Sequence, residues 1–439
     1  MNYWYSYHFA EKQIISSAIM RIPFILVSSC ERVFLSLCYR EFFNCESVAM
    51  DGLGQSETAS NQVNMRKKFR VFLLYYDYRP RESIAIGYRG AVIHALNNCI
   101  YELVIGYLIG QPSNDEAEFD KPYREIFFNF SKHELKNLKW KGTKIIKQTL
   151  RRYQFDLVVA DRYKPCYVLA MALSKFPHCQ RVAICHTLNQ FNRLGRVLFA
   201  RFYLSRKWTI VGVSDAVKND LYASACGFQY DRLRVIGNCL DIDALRKNFK
   251  SRQAARQRLG IAENDLVIGH IGRLVPVKAQ AELIKAFANM RHRQAKLVII
   301  GSGREAAHLK QSAMQWGVAD RVIFSGWIDN ASELMKAFDV FALSSTKEAF
   351  GLVLIEAMAA KVPVLALNRG GVAEVLGIDA TLSLCEDFSE FSRQLDELIS
   401  LSPKAKLDLV NYLYQRCREK FDLAVGAKSY DRLFQSLLT

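Results

Sequence analysis

The stretch from Phe338 to Leu367 constrains this chain most. Phe338-Asp339-Val340-Phe341-Ala342-Leu343 is short and apolar and reads as a buried strand. Ser344 to Phe350 is polar enough for a loop, and Leu352 to Ala360 has the residues of a good helix. Val362-Pro363 stops that helix, and Val364 to Leu367 is the next strand. The result is a βαβ unit. It commits the chain to an α/β fold and aims a loop, at the carboxyl end of a strand, into a helix N-terminus.

That geometry has chemical consequences. The amides of Gly351, Leu352 and Val353 are donors that a helix start leaves unpaired, and Gly351 lets a ligand come close to the backbone. A phosphate group fits there. Glu356 lies one turn further, about 6 Å up the axis from Leu352 on the same face, and Glu348 precedes the helix. A phosphate with polyol groups on both sides, the shape of a nucleotide-sugar, satisfies both carboxylates. The plainer alternative makes Glu348 a cap and Glu356 a solvated helix residue. Against it, Leu354, Ile355, Ala357 and Met358 flank Glu356, so the helix is apolar nearly all round and a glutamate there needs a partner.

The run from Phe338 to Glu374 resembles the donor-site signature of the retaining glycosyltransferases of family 4 (group 1). That family has the GT-B fold, two Rossmann-like domains facing each other across a cleft. The resemblance extends in order, with gaps, from about Val71 to about Leu384. It implies that Glu348 contacts the transferred sugar and Glu356 holds the ribose hydroxyls.

Other motifs are read first from their residues. Gly272-Arg273-Leu274-Val275-Pro276-Val277-Lys278 follows a strand at Leu266–Ile271 and sets two cations around a loop; Arg can grip phosphate in a bidentate way and Lys adds a point charge. The resemblance makes Arg273 and Lys278 the neutralisers of the diphosphate leaving group, although Ala279 stands where the family often has glycine. His186 ends a strand at Arg181–Cys185 and points into the crevice where α/β proteins bind ligands; it is either a satisfied histidine near the core or, as the resemblance implies, a contact to the donor sugar from the opposite domain. Gly87-Tyr88-Arg89-Gly90 is a strand-to-helix turn that the family uses near donor phosphates and acceptor, with a double glycine where this chain has Gly-Tyr-Arg-Gly. Trp327 and Ile328 follow Gly326 in a turn that the resemblance puts beside the nucleobase, though an aromatic there is as often core. Gly370-Gly371 open a helix and are placed to bring backbone amides to sugar or phosphate. Gly301-Ser302-Gly303 invites a dinucleotide-binding reading but lacks the third glycine. Arg234 to Asp241 resembles the family's interdomain crossover, with Gly237 and Cys239 where Pro and Gly are usual.

At 439 residues the chain exceeds a single core, so two domains are expected. The expected boundaries are an N-terminal extension over 1–64, an acceptor domain over 65–237, a donor domain over 238–405, and C-terminal helices over 406–439 that cross back to the first domain. Met65-Arg66-Lys67-Lys68 resembles an ordinary start, so 1–64 is expected to be dispensable. Ile14 to Cys30 is the most apolar stretch, but Arg21 and Pro23 interrupt it and no spanning helix is expected. The formal net charge of +17 implies an anionic partner. Ser131 to Tyr153 reads as a lysine-rich helix, with a possible break at Gly142 and Trp140 among the cations, and fits either a solvated face or a membrane surface. Asn192 to Lys207 is a second basic, apolar segment. Eleven scattered cysteines without a C-x-x-C pair argue against a disulfide framework and for a reducing compartment.

The expected reaction moves a sugar from a UDP- or GDP-sugar to a hydroxyl of a saccharide or glycolipid acceptor, with retention at the anomeric carbon, in cell-surface polysaccharide or lipopolysaccharide synthesis. No cofactor and no metal are expected, because two cations stand where a metal would neutralise the diphosphate. A cytoplasmic location is expected from the scattered cysteines, and peripheral contact with the inner membrane face from the basic first domain. Two alternatives stay open: a GT-B-type epimerase or phosphorylase, and a basic nucleic-acid-binding protein. The basic residues are not interleaved as a nucleic-acid module, so no nucleic-acid partner is expected.

Overall fold

The structure is a computed structural model that describes residues 68–78, 87–112, 122–136 and 141–439. The N-terminal extension, the start at Met65 and Trp140 lie outside the described residues.

Two parallel sheets organise the described chain. The first holds β1 (Phe69–Asp77), β2 (Tyr101–Ile109), β3 (Arg124–Phe127), β4 (Leu157–Asp161), β5 (Gln180–Cys185), β6 (Thr209–Gly212) and β7 (Leu233–Val235), in the order β3-β2-β1-β4-β5-β6-β7. The second holds β8 (Val267–Ile271), β9 (Lys296–Ile300), β10 (Val322–Gly326), β11 (Val340–Leu343), β12 (Val364–Leu367) and β13 (Leu384–Cys385), in the order β10-β9-β8-β11-β12-β13. In each sheet the chain winds outward to one side, returns to the middle and winds out to the other. The direction switches between β1 and β4 in one sheet and between β8 and β11 in the other. Such switch points open a crevice at the carboxyl ends of the strands.

Helices connect the strands. In the first sheet's unit these are α1 (Arg89–Leu96), α2 (Lys132–Lys136), α3 (Lys141–Tyr153), α4 (Tyr163–Ala172), α5 (Leu194–Phe199) and α6 (Asp215–Ala223). A π-helical turn, Ala200–Leu204, prolongs α5. The described parts of the basic segment after Ser131 are helical, in α2 and α3; Gly142 does not break α3 but sits buried in its first turn. α7 (Ile242–Asn248) and α8 (Arg252–Leu259) follow the crossover. The second unit has α9 (Gln280–Ala288), α10 (Ala306–Gln315), α11 (Leu352–Ala359), α12 (Val372–Leu376) and α13 (Phe388–Ser400).

The last two helices, α14 (Pro403–Phe421) and α15 (Leu423–Leu438), join the units. α15 packs on α1 of the first unit, with Tyr101 Oη 2.9 Å from Asp431 Oδ1. The outgoing and returning chains run side by side: Leu240 N donates to Phe421 O at 2.9 Å, and Leu423 N donates back to Leu240 O at 2.9 Å. Gly237 packs closely here: a Cβ would come within 3.2 Å of the Phe350 ring, which also stands edge-on to Phe421. One apolar core runs from the first sheet through this junction to β11, β12 and α11; a second fills the outer face of the second sheet.

Candidate active site

The two switch points bring the expected site residues to facing walls. The β8–α9 and β11–α11 loops form one wall, with Gly272–Lys278 and Ser344–Gly351. The β1–α1, β4–α4 and β5–α5 loops form the other, with Tyr88, Asp161, Arg162 and His186.

On the second unit's wall, Gly351 precedes α11 at φ +94°, a conformation that glycine adopts readily, and no side chain caps the helix. Leu354 N donates to Gly351 O, whereas the amides of Leu352 and Val353 meet no acceptor among the described residues. Lys278 Nζ lies 2.6 Å from Glu348 Oε2, and both side chains are largely buried. Ser344 Oγ donates to Lys278 O at 2.8 Å and ties the two loops together. Ala279 takes the left-handed conformation at φ +48°, which explains the family's preference for glycine there. Arg273 is exposed and its guanidinium has no partner among the described residues. Glu356 is partly exposed and its carboxyl makes no hydrogen bond among the described residues; burial pushes that carboxyl up to about 7. A free carboxyl so enclosed is poised for hydroxyl donors from a ligand.

The facing wall is built differently. His186 Nε2 sits 2.6 Å from Asp161 Oδ1, and its ring lies 4.7 Å from that of Tyr88. Arg89 and Arg162 approach Asp161 Oδ2, each through Nε at 3.9 Å. Burial alone would raise the Asp161 carboxyl, but His186, Arg89 and Arg162 outweigh it and hold it below the usual carboxylate range. Arg162 has φ +74° and ψ 175°, strained for a residue with a side chain, and its Nη2 donates to Tyr88 Oη at 2.7 Å.

Several expected residues hold other positions. Arg89 is not in an open loop. It is buried at the start of α1, donates to Asp77 Oδ1 at 2.6 Å and stacks over Tyr75, so it braces the wall from behind. Gly90 is inside α1, its amide turned to Gly87 O; of that turn, Tyr88 reaches His186. The Gly371 amide donates to Glu348 O, so it supports the loop rather than presenting a donor to a ligand. Side chains at Gly301 and Gly303 would collide with the carbonyls of Gly272 and Leu274. Those glycines let two loops pack and do not cradle a dinucleotide. Trp327 is 66% exposed and bonded to Asp329, while Ile328 leans on the core.

Two contacts cross between the units. Ser214, the N-cap of α6, donates to Ala349 O at 2.6 Å and accepts from Val217 N. Glu374 Oε2 and Oε1 accept from Asp215 N and Ala216 N at 2.6 and 2.9 Å, a carboxylate from one unit on the helix start of the other.

Two family models match in succession: "Glycosyltransferase Family 4" over residues 104–244 and "Glycosyl transferases group 1" over residues 251–416. The chain belongs to the group 1, family 4 glycosyltransferases. It is 38% identical over 132 residues to N-acetyl-alpha-D-glucosaminyl L-malate synthase of Bacillus anthracis, a match covering 30% of this chain and 35% of that protein. It is 34% identical over 168 residues to D-inositol 3-phosphate glycosyltransferase of Stackebrandtia nassauensis, covering 34% and 38%. The chain spans between 35% and 59% of the length of these and similar curated relatives. A glycosyltransferase of Rickettsia africae shares the fold with a TM-score of 0.67 at 16% identity, over 85% of this chain and 99% of that one. Anabaena HepE in complex with UDP shares it with a TM-score of 0.65 at 21% identity, over 84% and 100%. The fold of the chain is therefore GT-B.

Sequence reasoning missed Asp161, Arg162 and the bridging role of Glu374. Asp161 and Arg162 stand at the carboxyl end of β4, as His186 stands at that of β5; that shared position was the available signal.

Proposed function

We propose that this glycosyltransferase moves a sugar from a nucleoside diphosphate to an acceptor hydroxyl, with retention at the anomeric carbon. The observation that carries the reading is the cluster at the start of α11: Lys278 against Glu348, the unpaired amides of Leu352 and Val353, and Glu356 unpartnered one turn beyond. The barrier is charge separation between a cationic sugar ring and an anionic diphosphate. Arg273, Lys278 and the two amides stabilise the diphosphate as it leaves. Glu348 positions the sugar, Glu356 accepts from the ribose hydroxyls, and His186, held by Asp161, contacts the sugar from the opposite wall. Asp161 is occupied by His186 and two arginines, which makes it a poor nucleophile for a double displacement. The acceptor therefore attacks from the face the diphosphate leaves, and a leaving phosphate oxygen takes its proton.

Fixed cations take the place of a divalent ion in this account, so turnover should persist in EDTA. HepE is bound to UDP and to UDP-glucose, and another relative is named as GDP-mannose-dependent, which supports a UDP- or GDP-sugar. The malate, inositol 3-phosphate and phosphatidylinositol in the relatives' names are anionic and support an anionic acceptor, a glycolipid or phosphorylated saccharide of the cell surface. A thermal-shift panel of UDP, GDP and their sugars tests the donor: one base should raise the melting temperature through the native state. If none does, the reading fails.

A further inference from the structure

We propose that the face formed by residues 193–207 docks this protein on an anionic lipid bilayer. The inference deepens the acceptor side of the proposed function, but it stands on a surface away from the donor cluster.

The segment has two sides. Phe199, Ala200 and Leu204 are buried and fasten it to the first unit, with Phe199 4.8 Å from the Tyr167 ring. The other side leaves large apolar groups in water: Leu194 is 75% exposed and Phe202 73%, with Leu198 and Tyr203 beside them. The π-helical turn Ala200–Leu204 is wider than an α-turn and leaves Arg201, Phe202 and Tyr203 all outward. Leaving such side chains exposed costs burial free energy unless something covers them.

Charge identifies the cover. Between Asn192 and Lys207 there are five cations and no acidic residue. Arg196 is engaged with Gln190 O and the Tyr163 ring. Arg193, Arg201, Arg206 and Lys207 make no ion pair among the described residues. Arg201, Arg206 and Lys207, with Ser224 and Gly227, line a cavity of about 640 Å³, large enough for a phosphate-bearing head group. Cations flanking exposed Leu and Phe are what an interfacial segment presents to anionic lipid: the charges stay with the head groups while the apolar chains enter the acyl boundary. Nucleic acid would pair with the cations but would leave Leu194 and Leu198 with nothing apolar to enter.

The test uses the full chain and vesicles of phosphatidylcholine, alone or mixed with phosphatidylglycerol. The protein should co-sediment with the mixed vesicles, far less with phosphatidylcholine alone, and less as salt rises. Replacing three cations (Arg201→Ala, Arg206→Ala, Lys207→Ala) should weaken binding on the order of 100-fold, from about 1 kcal/mol for each cation near the surface. The pair Leu198→Ser and Phe202→Ser should weaken it by at least tenfold at fixed charge. Hydrogen exchange with the mixed vesicles should show new protection within 193–207. The replaced side chains are exposed, so the melting temperature and the shift given by nucleotide should stay at wild-type values, which separates this inference from the donor reading. The proposal is overturned if the protein stays in the supernatant, if both variants bind as wild type does, or if protection appears only elsewhere. RNA binding without vesicle binding would also overturn it.

Discussion

The two walls of the cleft hold their charges in opposite ways. On the second unit's wall Arg273 stands free, Glu356 has no partner, and the amides of Leu352 and Val353 have no acceptor among the described residues. On the first unit's wall Asp161 Oδ1 holds His186 and Arg162 holds Tyr88, while Arg89 and Arg162 neutralise Asp161 Oδ2 from 3.9 Å without a hydrogen bond, and the carboxylate at the centre is 1% exposed. The first arrangement leaves groups for a ligand to use. The second fixes a histidine in place. The difference separates a wall that binds by charge from a wall that positions by rigidity, and mutations on the two sides should fail differently.

The largest effect should come from removing both cations of the binding wall. Arg273→Ala with Lys278→Ala should lower kcat by about 10³-fold or more, by analogy with loss of anion-stabilising donors; exposed Arg273 should add little to any stability loss, whereas losing Lys278 leaves the largely buried Glu348 unpaired and should lower the urea midpoint. Steady-state transfer assays and urea melts check both halves. Next, Asp161→Asn should damage catalysis and stability together. It removes the buried negative charge among His186, Arg89 and Arg162, although Arg89 keeps Asp77, so the cost should fall below the about 3–5 kcal/mol of a fully broken buried pair. His186→Ala should lower kcat with a much smaller change in urea midpoint. If Asp161→Asn leaves the midpoint unmoved, the contrast between the walls is wrong.

Glu356 sharpens the comparison through pH. Its carboxyl stands at about 7, above the ordinary 4.5, because of burial. Between those values the native state holds a proton that the unfolded chain has lost. That contribution to stability is therefore present below pH 4.5 and lost as pH rises through 7. Glu356→Gln should flatten this slope and gain up to about 3 kcal/mol above pH 7, while weakening nucleotide binding about tenfold or more. Ribose hydroxyls that donate to the ionised form should also make nucleotide binding release a proton near pH 6, measurable by calorimetry in buffers of different ionisation enthalpy. Glu374→Gln should be milder. Losing a charged acceptor on the α6 start costs about 1 kcal/mol and should raise KM more than it lowers kcat. Trp327→Ala should change kcat/KM least, less than about twofold, since an exposed side chain bonded to its own turn has little to lose.

Much of the binding wall was legible in the sequence because it is local. Gly351, Glu348 and Glu356 share one βαβ unit, and helix spacing alone places them. Val364–Leu367 forms a strand as expected, because a short apolar run between turn residues leaves few choices. The other wall was only partly legible because it is assembled from separate loops. Arg89 looked like a loop cation until the partners Asp77 and Asp161 showed it buried. Asp161 and His186 are 25 residues apart and meet only because β4 and β5 pair in register. Glu374 could be read as a residue of its own helix; its grip on Asp215 and Ala216 depends on how two units close, which no local pattern records.

The central claim is that nucleoside diphosphate is held at the α11 start by unpaired amides and fixed cations. A crystal structure of the protein with UDP or GDP, whichever shifts the melting temperature, tests it most directly. The account predicts phosphate oxygens within hydrogen-bond reach of the Leu352 and Val353 amides and of Lys278 or Arg273, with the ribose hydroxyls on Glu356. A nucleotide bound elsewhere, or one whose ribose lies away from Glu356, would contradict it.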